Sequence, residues 1–273
     1  MSDQASKATT FRALHTRTGA FIIPNPWDAG TAKILTQLGF EALATTSAGL
    51  AFALGRSDGA ATCEETLANA LAIVQATHLP VSADLENGFG HAPAKVAKTI
   101  QLAAGVGLVG GSIEDATGDS DKPIYDLTLA VERIAAAVEA ARAQSFHFTL
   151  TARAENFLHR RPDLDDTIKR LQAFEKAGAD VLYAPGLPSL EAIREVCGSV
   201  NHPVNVLSGS TFTLKQLAEA GVKRVSVGST LSRAALAAFA KAAHEMKDFG
   251  TFNFAKDAFP YADINKLMKE ETP

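Results

Sequence analysis

The chain contains 273 residues, a length that suits one large domain or two smaller ones. Hydrophobic residues make up 47% of it and charged residues 21%, so the chain can bury a large core and does not belong to the disordered class. Lysine and arginine number 26 against 30 aspartate and glutamate, a net charge of −4, and this balance argues against a nucleic-acid-binding protein.

The cysteine content and the apolar segments indicate in which cellular compartment the protein is expected. Cys63 and Cys197 lie far apart in sequence and indicate neither a disulfide framework nor a zinc cluster. The first 19 residues are polar and lack the apolar segment of a secretory signal. No apolar run approaches the roughly 20 residues that cross a bilayer. We therefore expect a soluble, cytoplasmic protein with neither a membrane nor a nucleic acid as a partner.

Short runs bounded by turn residues recur along the chain and predict eight strands. They are AFIIP from Ala20, ALATT from Ala42, LPVSADLE from Leu79, LVGGSIED from Leu108, FHFTLTAR from Phe146, DVLYAP from Asp180, PVNVLS from Pro203 and RVSVGS from Arg224. Stretches with helical spacing lie between them and begin at Asp28, Thr62, Pro93, Asp126, Asp163 and Thr213. We expect left-handed C-caps at the glycines before the next strands, namely Gly39, Gly105, Gly178 and Gly221.

The alternation of strands and helices predicts the fold. Strands that are apolar throughout are typical of a parallel sheet covered by helices, and eight such units predict an α/β chain folded as a (β/α)₈ TIM-type barrel. A doubly wound open sheet is the alternative, but the first strand is followed by PNPWDAG instead of a G-x-G-x-x-G turn. We expect one domain over residues 1–273, with a leading helix in residues 1–19 and a packed, helical C-terminal tail in residues 250–273.

Carboxylates follow two neighbouring strands of the predicted barrel. The third strand ends at Asp84 and the fourth at Glu114, and catalytic groups of such barrels lie at these C-terminal strand ends. Like charges this close require a cation, and oxygen donors without histidine or cysteine favour Mg²⁺. The alternative is that the acids cap helices or pair with lysines on the rim, which is our interpretation of Asp115.

The fifth strand brings a guanidinium to the same mouth. It ends at Arg153 within TARAEN, and the planar donor array of arginine suits a substrate carboxylate or phosphonate. A structural Arg153 paired with Glu155 or Glu114 is the alternative.

Two other strand ends add candidate substrate-binding groups. The second strand ends in a turn of small residues, Ser47, Ala48 and Gly49, whose amides could hold a carboxylate oxygen. The sixth strand ends near Tyr183, which we expect to face the mouth.

These segments together resemble the isocitrate lyase and phosphoenolpyruvate mutase superfamily. The similarity runs through PNPWDAGTAKILTQLGFEAL, TTSAGLAFALGRSD, SADLENGFG, GGSIEDA and TARAENF to VNVLSGSTFTLKQLAEAGVKRVSVG, in the family's order and over nearly the whole chain. The resemblance implies a Mg²⁺-dependent barrel enzyme whose intermediate is a pyruvate-like enolate held by the metal.

The resemblance also assigns roles to individual residues. It implies that Asp84 binds Mg²⁺ directly, with Glu86 and Glu114 completing the coordination. It implies that Asp58 is a loop aspartate beside the metal and that Arg153 grips the anionic end of the substrate. The remaining substrate-binding positions that it implies are Ser47, Ala48 and Gly49 as the oxyanion-binding turn and Asn205 in the wall of the distal pocket.

The loop after the fourth strand departs from the lyases of this family. Those enzymes carry there a cysteine that serves as general acid, whereas residues 115–126 contain neither cysteine nor histidine. We expect this loop to be a mobile lid and the enzyme to be a carbon–carbon lyase on a small 2-oxo or 2-hydroxy dicarboxylate. Its reaction is expected to be oxaloacetate decarboxylation or weak methylisocitrate-type cleavage. The alternatives are phosphoenolpyruvate mutase or phosphonopyruvate hydrolase chemistry, and a non-catalytic 2-oxo acid binding protein.

The last barrel helix is the predicted contact between subunits. The segment STLSRAALAAFAKAAHEMKDF from Ser229 has apolar residues over much of its surface, and facing water it would leave a large exposed apolar patch. We expect a homo-oligomer, a dimer or tetramer, that forms through this helix.

Overall fold

The structure is a computed structural model that describes residues 3–269. Residues 1–2 and 270–273 of the two predicted terminal segments lie outside the described residues. The strands are β1 (Phe21–Ile23), β2 (Leu43–Ala44), β3 (Val81–Asp84), β4 (Gly110–Glu114), β5 (Thr149–Arg153), β6 (Val181–Tyr183), β7 (Val204–Leu207) and β8 (Arg224–Ser226). The helices are α1 (Gln4–Thr16), α2 (Ala29–Gln37), α3 (Ser47–Ala53), α4 (Cys63–Gln75), α5 (Pro93–Gly105), α6 (Leu127–Arg142), α7 (Leu164–Lys176), α8 (Leu190–Ser199), α9 (Leu214–Glu219), α10 (Thr230–Phe249) and α11 (Tyr261–Met268), with a 3₁₀ turn at Asn253–Lys256.

The strands form one parallel sheet, which confirms the predicted (β/α)₈ barrel. Their order is β1-β8-β7-β6-β5-β4-β3-β2, so every pair of neighbours is adjacent in sequence except β1 and β8. The backbone N–H of Ala44 donates to the carbonyl of Pro24 at 3.0 Å and links β2 to the end of β1. The barrel is therefore nearly closed, and all strands point to one mouth.

Helix starts follow the sequence signals closely, whereas one predicted helix end is wrong. Thr62 and Glu65 form a capping box, as do Asp28 and Thr31. Left-handed backbone occurs at Gly107 (φ 93°) and not at Gly105, because α5 continues through Gly105 before the chain reverses.

The inner and outer faces of the strands differ, so the prediction of strands apolar throughout is wrong for the inner face. Leu150 and Ala152 point outward into the main hydrophobic core beneath the helices. The residues alternating with them, Thr149, Thr151 and Arg153, are polar, and Thr151 and Arg153 contact inward-facing residues of other strands. A polar interior leaves groups available for binding at a place where most such barrels are filled by branched apolar side chains.

Helix α1 closes the end of the barrel opposite the mouth, in agreement with the predicted leading helix. Phe11 is fully buried and packs with Phe21 of β1 and Val109, which precedes β4. The ring of His15 lies edge-on to both Phe11 and Phe21, with centroids 4.8 and 5.1 Å away. Burial, with a smaller contribution from Arg224, lowers the pKa of His15 to about 3, so this ring is neutral at pH 7.

The C-terminal part is helical, and its end packs back on the barrel. The carbonyl of Met268 in α11 accepts a hydrogen bond from Lys33 Nζ of α2 at 2.9 Å. Helix α10, in contrast, buries only Ser232, and 72% of Phe239 and 77% of Phe249 are exposed. Within residues 3–269, no helix is both long enough and apolar enough to span a membrane.

We predict that His15 makes stability fall in acid. The unfolded histidine accepts a proton below about pH 6.5 and the folded one does not, so stability that is present above pH 6.5 is lost as the pH falls toward 3. The free energy of unfolding of the parent minus that of His15→Gln should therefore shrink by about 1 kcal/mol per pH unit below pH 6.5. Urea unfolding at pH 7.5, 5.5 and 4.5 measures this difference. His78→Gln, at an exposed position, is the control and should change the free energy of unfolding by less than about 0.5 kcal/mol at each of the three pH values.

Candidate functional site

A cavity of about 890 Å³ opens at the C-terminal ends of the strands. It is lined by nine of the ten residues that the sequence predicted for the site: Ser47, Ala48, Asp58, Asp84, Glu86, Glu114, Arg153, Tyr183 and Asn205. Gly49 does not line it and contacts the opposite side, where a Cβ would lie 2.6 Å from Thr46 and 3.0 Å from Trp27.

The predicted turn at positions 47–49 is the first turn of helix α3. Thr46 caps this helix, and its hydroxyl accepts a hydrogen bond from the N–H of Gly49 at 3.2 Å. That amide is therefore already satisfied, which removes Gly49 from the predicted oxyanion-binding set. Ser47 faces the cavity, where its Oγ donates to Asp84 Oδ2 at 2.7 Å.

Arg153 is the centre of the charged cluster at the mouth. Its Nη1 lies 2.9 Å from Asp84 Oδ1, its Nη2 3.0 Å from Glu114 Oε2, and its Nε 2.8 Å from Glu155 Oε1. The guanidinium carbon also lies 5.2 Å from the ring centroid of Tyr183. Burial disfavours the guanidinium charge, but the carboxylates outweigh that effect and raise the pKa of Arg153 further above its usual value.

Arg153 thus makes the structural pairing that is the alternative to an anion clamp. Two of the five N–H groups of its guanidinium donate hydrogen bonds, one to Glu155 and one to Asp84, and Nη2 is ion-paired with Glu114. The remaining N–H groups are available to a substrate anion, so the predicted role of Arg153 as an anion clamp stays a proposal.

Acidic groups around Arg153 resist ionisation. Burial, followed by the charge of Asp84, raises the pKa of Glu86 to about 7. Burial raises the pKa of Glu114 well above its usual value in spite of Arg153. Asp58 lies on an exposed loop, yet the cavity wall partly desolvates its carboxylate and, with Asp84, raises its pKa. The raised pKa values show that one guanidinium does not offset the burial and mutual repulsion of these carboxylates.

The donor set fits a magnesium ion that keeps part of its water shell. The Oε1 atom of Glu86 is buried with no hydrogen-bond partner among residues 3–269. Asp84 places a second carboxylate in the same cavity, and oxygen donors of this kind suit Mg²⁺. Over residues 3–269, no three acidic, histidine or cysteine side chains are close enough to form a complete metal cage. Mg²⁺ is often bound by one or two carboxylates plus water and substrate oxygens. The carboxylate of Asp84 together with the unpartnered Oε1 of Glu86 meets this requirement.

Several groups of the site were not predicted from sequence. Glu155 is buried beneath Arg153 and had been considered only as its structural partner. Arg224 and Ser226 of β8 line the cavity and hydrogen-bond to Asn205. An arginine that begins a buried strand is the one signal that could have identified Arg224.

The loop over the mouth is anchored more firmly than the predicted lid at positions 115–126. Asp115 is buried and pairs with Arg170 Nη1 at 2.9 Å, which confirms its structural role, although the partner is a buried arginine and not a rim lysine. The same Nη1 donates to the carbonyl of Tyr125 at 2.9 Å, and Ala116 forms a bridge with Ile124. Both ends of the loop are therefore fixed, and its exposed residues are 118–122 and Asp126.

Comparison with known proteins agrees with the resemblance given by the motifs. A family model described as phosphoenolpyruvate phosphomutase matches residues 11–247. The 2-methylisocitrate lyase of Escherichia coli strain K12 is 30% identical over 230 residues, which cover 80% of this chain and 76% of that enzyme.

Solved structures show the same similarity. A Burkholderia cenocepacia J2315 protein with the provisional name lyase/mutase is 60% identical, with a TM-score of 0.96 over 98% of this chain and 97% of that one. The structure of 2,3-dimethylmalate lyase, described as a member of the phosphoenolpyruvate mutase/isocitrate lyase superfamily, is 27% identical with a TM-score of 0.86. It covers 98% of this chain and 96% of that one.

We predict that removing Arg170 destabilises the protein strongly and in a pH-dependent way. Burial holds the pKa of Asp115 at about 6 even beside Arg170. Arg170→Met leaves this carboxylate unpaired, which should cost about 3–5 kcal/mol of unfolding free energy at pH 8. The loss should be smaller at pH 5, where Asp115 is protonated.

Urea unfolding at the two pH values measures the effect. The double variant Arg170→Met/Asp115→Asn should recover part of the stability at pH 8, because no buried charge is left. Arg194→Met, at an exposed position on α8, is the matched control. An equal loss at both pH values would contradict the assignment.

Proposed function

The chain belongs to the phosphoenolpyruvate phosphomutase family, and its relatives include a 2-methylisocitrate lyase and a 2,3-dimethylmalate lyase; we propose that it is a Mg²⁺-dependent carbon–carbon lyase. Its proposed substrate is a small 2-oxo or 2-hydroxy dicarboxylate, cleaved through an enolate. The observation that carries the proposal is the set of four carboxylates, Asp58, Asp84, Glu86 and Glu114, that line one cavity with Arg153 among them.

Each cavity residue has a defined task in this proposal. Asp84 and Glu86 would hold Mg²⁺, directly or through water, with Glu114 as the third carboxylate. When bound, Mg²⁺ supplies positive charge next to the oxo and carboxylate oxygens of the substrate. The free N–H groups of Arg153 orient the substrate anion, because a guanidinium forms strong charge-assisted hydrogen bonds to carboxylates.

Ser47 supports this arrangement from the second strand end. Its hydroxyl and its N–H both donate to Asp84 Oδ2, at 2.7 and 3.2 Å, and so hold this carboxylate in its orientation. Asp58 faces the same cavity from the loop after α3 and supplies a carboxylate that could exchange a proton with substrate. Tyr183 lines the cavity, and its hydroxyl stays protonated at pH 7 because burial raises its pKa to about 12.

The loop chemistry bears on which bond is cleaved. Residues 115–126 hold no thiol or imidazole that could protonate a leaving enolate. Decarboxylation requires less of these residues, because carbon dioxide leaves without a proton and no hydroxyl has to be deprotonated. The enolate that is left is stabilised electrostatically and takes its proton from water. The protein is therefore expected to be weak on isocitrate-type substrates unless another cavity residue serves as the acid.

The proposal predicts Mg²⁺-dependent pyruvate or glyoxylate release that depends on Asp84. A screen of oxaloacetate, 2,3-dimethylmalate and methylisocitrate should identify a substrate whose turnover stops in EDTA and returns with Mg²⁺. Asp84→Asn should lower kcat/KM by about 10²–10³-fold or more, while its circular dichroism spectrum stays unchanged. Asp165→Asn, an exposed aspartate in the first turn of α7, is the matched control and should retain full activity.

Three outcomes would contradict the proposal. Turnover that persists in EDTA would show that the reaction does not depend on Mg²⁺. Conversion of phosphonopyruvate, detected by phosphorus NMR, in the absence of any carbon–carbon cleavage would assign phosphorus–carbon chemistry. Binding of 2-oxo acids with no turnover of any of them would indicate a sensor.

We also propose that the chain forms a homo-oligomer, a dimer or tetramer, through α10. Phe239 and Leu236 of this helix line a groove of about 230 Å³ together with Trp27, and Phe249 stands out from its end. An apolar surface of this extent is unusual on a monomer. A second copy, which carries the same apolar helix, is the occupant that we assign to the groove.

Substitutions on α10 test this assembly. The parent should sediment as a dimer or tetramer at micromolar concentration, and Phe239→Asp should shift it toward the monomer because a buried carboxylate is costly. Leu38→Asp, at a position of α2 that is 68% exposed, should leave the assembly intact. A monomeric parent, or a Phe239→Asp variant with the parent's mass, would refute the contact.

A further inference from the structure

Arg224 lies inside the barrel and is not used by the mechanism above. It is the first residue of β8, it is only 5% exposed, and it lines the mouth cavity. The pairing of neighbouring strands connects Arg224 to the charged cluster in one row across the sheet. Arg153 is opposite Tyr183, Tyr183 is opposite Asn205, and Asn205 is opposite Arg224. Because strands are tilted in a barrel, this row descends from the mouth toward the interior.

The hydrogen bonds of Arg224 place its guanidinium one layer below Arg153. Its Nη2 donates to Thr151 Oγ1 at 2.9 Å, and Thr151 precedes Arg153 by two residues on β5. Two residues of a strand span about 6.6 Å. The two guanidinium groups therefore mark the upper and lower parts of one cavity.

In the part of the chain that the structure describes, the atoms that accept hydrogen bonds from Arg224 are all neutral. Besides Thr151, they are Asn205 Oδ1 at 2.8 Å and His15 Nε2 at 3.4 Å. His15 is neutral and its Nδ1 faces the carbonyl of Phe11 at 2.8 Å, so Nε2 is the acceptor on the side of Arg224. Two of the five N–H groups of the guanidinium have no partner among these atoms.

No ion pair of the described residues, 3–269, involves Arg224. Burial lowers its pKa to about 10, which still leaves it charged at pH 7. The other deeply buried arginines differ in this respect. Arg153 and Arg170 each contact two or more carboxylates, and Arg133 donates to three backbone carbonyls and does not line the cavity.

A buried charge without a counter-charge is costly to the folded state. The cost is offset when an anion binds beside it in a low-dielectric site, because the attraction is strong there. The cavity supplies the route by which such an anion reaches Arg224, and Asn205 Nδ2, which donates to Ser226 Oγ at 3.0 Å, has a second N–H to offer it.

We propose that Arg224 binds the second carboxylate of a dicarboxylic substrate and that this contact selects dicarboxylates over monocarboxylates. The assignment rests on the proposed function, which places the 2-oxo or 2-hydroxy end of the substrate beside Asp84 and Arg153. The guanidinium groups of Arg153 and Arg224 are separated by one inward-facing layer of the barrel, about 6.6 Å along the strand. This distance suits a dicarboxylic acid of about four or five carbons. A monocarboxylate of equal length would leave the Arg224 charge uncompensated.

Matched ligand pairs test the contact directly. Isothermal titration calorimetry with Mg²⁺ at pH 7.5 compares 2-oxoglutarate with 2-oxovalerate, and malate with 2-hydroxybutyrate; the members of each pair differ only in the distal carboxylate. The parent should bind the dicarboxylate of at least one pair about 10–100-fold more tightly. Arg224→Met should reduce that preference to about twofold or less, and Arg224→Lys should retain part of it.

The control and the second variant keep the result interpretable. Arg194→Met, on the surface of α8, should preserve the parent's preference. If Arg224→Met fails to fold, the parent's preference and its reduction in Arg224→Lys and Arg224→Gln decide the question.

The outcomes separate this inference from the proposed function. Equal affinity for both members of each pair in the parent, or a dicarboxylate preference that survives in the Arg224 variants, overturns the role of Arg224 and leaves the proposed lyase intact. Failure of all four ligands to bind the parent overturns both.

Discussion

The arrangement of this protein depends on the repulsion between carboxylates at the mouth of a barrel. Parallel strands bring Asp84 and Glu114 to the same edge, where partial burial makes their charges costly, and Arg153 lies within 3.0 Å of both. This guanidinium forms ion pairs with three of the acids that line the cavity, namely Asp84, Glu114 and Glu155. Protonation of Glu86 and Glu114, whose pKa values are raised, relieves the remaining repulsion, as a divalent cation would.

The barrel combines a polar interior with an apolar outer layer. Outward residues such as Leu150 and Val206 pack under the helices and provide the core. Inward positions carry Thr151, Asn205 and Arg224, which hydrogen-bond to one another across the barrel. Stability and binding are thereby assigned to opposite faces of the same strands, so the interior can vary with substrate while the fold is preserved.

Small residues make this interior possible. Gly110 begins β4 at the end that α1 covers, and a Cβ there would lie 2.8 Å from the carbonyl of Thr149 and 3.0 Å from Phe11. The ring of Phe11 can therefore approach the strand and close the barrel. The neutral His15 on the same helix contacts the guanidinium of Arg224 through Nε2. Arg224 therefore has an uncharged acceptor on the side of α1, while its other side lines the cavity.

The sequence by itself determined the period of strand and helix, the capping boxes at Thr62 and Asp28, and the strand ends that carry Asp84, Glu114 and Arg153. These features are local, or follow from the rule that parallel strands end at one edge. The family resemblance added Asp58, Glu86 and Asn205, which local pattern alone does not single out, and all three line the cavity.

Only the tertiary structure decided which atoms of these residues are free. The amide N–H of Gly49 donates to Thr46, Arg153 pairs with three carboxylates, and the acceptors that Arg224 contacts within residues 3–269 are neutral. Such pairings depend on distances between strands that are far apart in sequence, from Thr151 to Arg224 for example. A pattern of residue types records that a charge is present, whereas the fold decides whether another charge lies within reach of it.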